Sequence, residues 1–86
     1  MKPEFKLYLN VQRRLTMDQA SALMGAGFDD SIIGANSIEV DDRAGDLVDL
    51  VREAIGQVQA VGLRVVKVET PEWSSVEQIN RELAEA

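Results

Sequence analysis

Eighty-six residues, 45% of them hydrophobic, make one small globular domain with room for a single core, and the net charge of −6 marks it as acidic. There is no cysteine and no histidine, which excludes disulfides, thiolate chemistry, the commonest metal ligand and the usual general base at neutral pH. No apolar run reaches signal-peptide or membrane-span length, so a cytoplasmic protein without a membrane partner is expected.

Phe5, Leu7, Leu9 and Val11 alternate with Lys6, Tyr8, Asn10 and Gln12, the two-residue period of a strand with one buried and one polar face. Thr16 and Gln19 then have the spacing of a capping box. The helix they open is expected to bury Met17, Ala20, Leu23 and Met24 and to stop where Gly27 takes a positive φ. Phe28 follows as a plug at the edge of the core. Short strands over 31–35 and 38–41 predict a hairpin. Its turn lies at 35–37, where Asn36 tolerates left-handed geometry. Ile38 and Val40 face inward, with Glu39 and Asp41 outside.

Asp46 is placed to cap a second helix running to residue 61, with Asp49 complementing the dipole in its first turn. Leu47, Leu50, Val51, Ala54, Ile55, Val58 and Val61 form its apolar stripe, and Gly56 is expected to mark a close approach to the sheet. Gly62 ends this helix, and a β-branched run over 63–69 makes the last strand. On that strand Val66 and Val68 are expected on the open sheet face beside Tyr8. Pro71 closes the unit. Ser74 and Ser75 precede Glu77 and Gln78 by three residues, so two capping-box registers compete at the start of a final helix. That helix offers only Val76, Ile79 and Leu83 for burial, so it must dock on the body, dock on another chain, or fray.

The order strand, helix, strand, strand, helix, strand predicts an α+β fold of the ferredoxin-like, split βαβ kind. A four-stranded antiparallel sheet over residues 1–70 would carry two helices on one face, and 71–86 would form a C-terminal docking or interaction helix.

Charge is unevenly placed. Residues 29–49 hold Asp29, Asp30, Glu39, Asp41, Asp42, Asp46 and Asp49 against Arg43 alone, a balance of −6, while 1–28 carry +2 and 50–86 carry −2. Such a field repels phosphates and favours a basic partner, although helix capping and solvation account for the same acids. Their spacing matches no calcium loop, and neither a nucleophile motif nor a phosphate loop is present, so no metal, cofactor or catalytic residue is expected. Tyr8 is the lone aromatic on the open face of the first strand, which argues against base stacking and direct nucleic-acid binding. Trp73 reads equally as a staple of the final helix, an anchor of the tail, or a contact for a partner.

The run Gly27-Phe28-Asp29-Asp30, the hairpin, the Asp42-Arg43-Ala44 segment and the helix beyond it resemble the N-terminal half of small bacterial helix-turn-helix, antitoxin-like regulators. In that family a proline–acid segment leads into a short DNA reader, and Pro71-Glu72-Trp73 with the helix after it looks like the start of one. The sequence shows no basic recognition helix after it, so the resemblance implies a regulatory or partner-binding accessory domain rather than a DNA reader.

Two functions are therefore expected in competition. One is a non-enzymatic protein-interaction module, self-associating as a homodimer or binding a basic protein partner. The other is an acidic inhibitor of the phage anti-defence type that mimics nucleic acid and blocks a basic groove. The residues expected to make contact are Asp29, Asp30, Glu39, Asp41, Asp42, Asp46, Asp49, Tyr8 and Trp73.

Overall fold

The computed structural model of the protein describes residues 2–85. Strand β1 (Phe5–Leu9) leads to helix α1 (Met17–Leu23), which widens into one loose turn over Met24–Phe28. Strands β2 (Ile32–Ile33) and β3 (Ser37–Val40) form the hairpin, followed by helix α2 (Leu47–Ala60) and strand β4 (Val65–Glu69). A 3₁₀ turn over Trp73–Val76 enters helix α3 (Glu77–Glu85). The chain is α+β with one open antiparallel sheet of order β2-β3-β1-β4. Each helical crossover skips a strand: β3 lies between β1 and β2, and β1 lies between β3 and β4.

The core lies on one side of this sheet. Phe5, Leu7, Leu9, Ile38, Val40, Val65 and Val68 are buried in one cluster with Leu23, Phe28 and the α2 residues Leu50, Val51, Ala54 and Val58. Each large apolar side chain so buried contributes about 1.5–3 kcal/mol. Phe28 is fully buried, as the plug reading requires.

Local rules account for most boundaries. Thr16 Oγ1 accepts from the Gln19 N–H at 3.1 Å while Gln19 Oε1 accepts from the Thr16 N–H at 2.9 Å, a complete capping box. Gly27 ends the helical segment at φ 121°, and Gly62 stops α2 at φ 83°. The Asp46 side chain caps α2 by accepting from the Asp49 N–H at 3.2 Å.

Several expectations fail for identifiable reasons. Met17 and Met24 are 87% and 50% exposed rather than buried. The wide turn breaks the 3.6-residue phase of this short helix, so Phe28 rather than Met24 is carried inward. Asn36 is not left-handed, because among the described residues only glycines have positive φ. The hairpin closes instead through the Gly34 N–H donating to the Ser37 carbonyl at 2.7 Å, while the Ala35 and Asn36 carbonyls accept from the Leu15 and Leu9 N–H groups. Gly56 is exposed, and a Cβ there would meet open space, so it marks no close approach to the sheet.

β1 ends at Leu9, before Val11, and β4 starts at Val65 rather than 63. In β4 the register passes from Tyr8↔Lys67 to Leu9↔Val65, which makes Val66 an extra, bulged residue. Val65 and Val68 therefore both reach the core while Val66 and Lys67 are exposed, so Val68 does not belong to the open face. Neither serine capping box forms at the final helix: the 3₁₀ turn takes that stretch and α3 begins only at Glu77. The tail docks on the body, with Val76 and Ile79 buried and Arg52 on α2 paired with Glu82 at 3.0 Å. Among the described residues no helix is long and apolar enough to cross a membrane.

Candidate functional site: a groove beneath Trp73

β1, β3 and β4 meet at one end of the sheet, where the chain leaves β4 for the final helix. The Thr70 hydroxyl donates to the Glu4 carbonyl at 2.8 Å and ties this end together. Between it and the tail lies a groove of about 960 Å³. Glu4 just before β1 and Lys6 on it, Glu39 on β3 and Asp41 just after it, and Lys67 and Glu69 on β4 line it. Pro71, Trp73, Glu77, Asn80 and Arg81 complete it from the tail.

Trp73 is 65% exposed. The tail is held mainly by the buried Val76 and Ile79 and by Asn80, and most of the indole is left in the open. Asn80 bonds the edge of β4 twice: its Oδ1 accepts from the Val68 N–H at 2.7 Å and its Nδ2 donates to the Val68 carbonyl at 2.9 Å. An outer strand with free main-chain groups is a template for unwanted pairing, and this side chain occupies it.

Two cations of the groove are engaged on the open sheet face. Lys6 pairs with Glu39 at 3.7 Å and Lys67 with Glu69 at 3.3 Å. The Tyr8 ring lies between these lysines, 5.1 Å from Lys6 Nζ and 5.8 Å from Lys67 Nζ. Its hydroxyl donates to Glu69 at 2.7 Å, and this bond, with that from Lys67, holds the Glu69 carboxyl below its ordinary value. On α3, Arg81 donates to Gln78 at 3.4 Å. The groove carboxylates Glu4, Asp41 and Glu77 form no ion pair among the described residues.

The acidic middle of the chain separates into parts. Glu39 and Asp41 line the groove, and Tyr8 borders it through Glu69. Asp29, Asp30, Asp42, Asp46 and Asp49 do not line it. Asp29 and Asp30 lie in the turn that precedes β2, and the hairpin pairing ends at Ile32 with Glu39. Asp46 and Asp49 sit at the start of α2, where Asp46 acts as the cap. Among the described residues no group of three or more acids could hold a metal ion.

Arg43 stands inside this acidic stretch but turns away from it. Its guanidinium donates to Gln57 Oε1 at 2.6 Å and to the Gly27 carbonyl at 2.9 Å, and lies 4.8 Å from the centre of the Phe28 ring. Gln57 in turn donates to the Ala26 carbonyl at 3.1 Å. The two side chains thus satisfy carbonyls left open at the end of α1 and tie that end to α2. Gly27 and Arg43 touch each other as part of the packing between α1 and α2.

Sequence reasoning missed Asn80, Gln57 and the ladder of Lys6, Glu39, Lys67 and Glu69. Only the ladder left a signal, in the alternating charge of its strands; the other contacts depend on topology. No protein-family model, no curated protein and no solved structure matches this chain.

Proposed function

We propose that this ferredoxin-like domain is a non-enzymatic protein-interaction module of regulatory type, and that the Trp73 groove is its contact surface. One observation carries the reading: Trp73 stays exposed above a groove while other side chains do the work of docking the tail. A large indole in the open costs solvation and serves a partner, at whose interface tryptophan is enriched as a hot spot. The open sheet face, paired within itself through Lys6–Glu39, Lys67–Glu69 and Tyr8–Glu69, offers little to a second copy, so the partner is a different protein and a basic one. The antitoxin-like label rests on the sequence resemblance of residues 27–30, the hairpin, residues 42–44 with the helix beyond, and the segment from Pro71.

Affinity capture from the native cell with the wild-type chain and with Trp73→Ala tests this. The expected outcome is a partner retained by the first and lost by the second at unchanged thermal stability. Equal retention by both would rule out the groove as the contact.

A second reading has its own support. Asp41 and Asp42 follow β3 directly, and Arg43 is committed inward to Gln57 and Gly27, which leaves the two carboxylates without an ion pair among the described residues. An inhibitor imitating nucleic acid would present this edge to a basic groove. It requires that charge reversal at Asp41 and Asp42 abolish capture without loss of fold, and that binding weaken steeply with salt.

A further inference from the structure

We propose that the Trp73 groove takes an arginine or lysine side chain from a basic peptide segment of the partner, seated on the indole and faced by Glu4, Asp41 and Glu77. This deepens the interaction-module reading and rests on it. The argument is one of charge complementarity. Lys6 and Lys67 are neutralised by Glu39 and Glu69, and the Arg81 guanidinium is directed to Gln78. What remains around the exposed indole are the three carboxylates of Glu4, Asp41 and Glu77, in no ion pair among the described residues, against the single charge of Arg81, whose partner Gln78 is neutral.

An indole face beside uncompensated carboxylates is suited to a cation. Tryptophan gives the strongest cation–π attraction, and arginine combines it with forked hydrogen bonds to a carboxylate. A phosphate in the same place would meet three like charges against the one guanidinium of Arg81, so the balance disfavours nucleic acid in this groove. A volume of about 960 Å³ exceeds what one side chain fills, so the neighbouring peptide backbone fits as well.

Trp73 is the chain's only tryptophan, so its fluorescence reports this groove directly. The probe is a short glycine–serine peptide carrying two arginines, titrated into the full chain beside the same peptide carrying glutamates. A saturable emission change with the arginine peptide alone is expected. Binding should weaken about fivefold in the double variant D41N/E77Q. The charge-matched variant D18N/E53Q, altered outside the groove, should bind like the wild type. Asp41 and Glu77 are exposed, so the variants should fold, and circular dichroism checks that they do.

No saturable change, or equal weakening by the two double variants, overturns the proposal. If the arginine peptide fails while capture of the native partner still depends on Trp73, only the cationic occupant is wrong. If both fail, the groove is not a contact surface.

Discussion

Asn80 on α3 pairs with both main-chain groups of Val68 on β4, donating to the carbonyl and accepting from the amide as a neighbouring strand would. One side chain thereby covers part of the sheet edge and fixes the docking of the final helix. Asn80→Ala should lower stability by about 1–2 kcal/mol in urea unfolding, after a small gain in helix propensity. Asn80→Asp keeps the acceptor but sets a charge against the Val68 carbonyl, and should cost at least as much. Hydrogen exchange at the Val68 amide gives the specific readout. Unchanged protection in Asn80→Ala would show that the helix stays docked through Val76 and Ile79 alone.

Two glycines should respond in opposite directions to the same substitution. Gly27 has φ 121°, and a Cβ there would stand 2.6 Å from Gln57 Nε2. Gly27→Ala therefore strains the backbone and displaces Gln57 from the Ala26 carbonyl, at an expected cost of about 1–3 kcal/mol. Gly56 lies inside α2 at an exposed position with open space where the Cβ would go. Gly56→Ala should stabilise by about 0.5–1 kcal/mol. Thermal melts of the two variants on either side of the wild type are the test.

Arg43 and Gln57 should act as a unit. Arg43→Ala removes two hydrogen bonds and the contact with the Phe28 ring, and should cost about 2–3 kcal/mol. Arg43→Lys keeps the charge but cannot fork to Gln57 and Gly27 together, so it should recover less than half of the loss. In a double-mutant cycle with Gln57→Ala the coupling should reach about 1 kcal/mol. Additive losses would mean that each side chain binds its own carbonyl independently.

What could be read from the residues follows from how local each cause is. The Thr16 box, the Asp46 cap, the stops at Gly27 and Gly62, and the inward set Phe5, Leu7 and Leu9 depend on neighbours a few positions away, and all occur as expected. The β4 bulge at Val66 arises where that strand meets β1, whose own pattern gives no hint of it. Exposure of Met24 follows from a turn that runs wider than the helical period, whereas Met17 lies at the first position of α1, ahead of that turn. Of the expected contact residues, Glu39, Asp41 and Trp73 share one groove because β3 and β4, both antiparallel to β1, end beside its start. No spacing along the chain could announce that meeting, since 32 positions separate Asp41 from Trp73.

Two exposed glutamates favour the folded state while ionised. Glu69 is held below the ordinary 4.5 first by the Tyr8 hydroxyl and then by Lys67, and Glu82 first by Arg52 and then by Gln78. A carboxyl that is more acidic folded than unfolded favours the native state while it is ionised. Its contribution is fully present above the unfolded value near 4.5 and is lost as pH falls through the lower folded value. The stability these two groups supply should therefore be constant from neutrality down to that region and decline below it. Tyr8→Phe should raise the Glu69 midpoint toward 4.5 and leave that of Glu82 in place, and Arg52→Met should do the reverse. Carboxyl chemical shifts followed by NMR through the acid range resolve both midpoints. If Tyr8→Phe leaves Glu69 unmoved, Lys67 rather than the phenol holds that carboxylate. Both carboxylates are exposed, so added salt should shrink the displacement that Lys67 and Arg52 produce and spare the share due to the neutral Tyr8 hydroxyl.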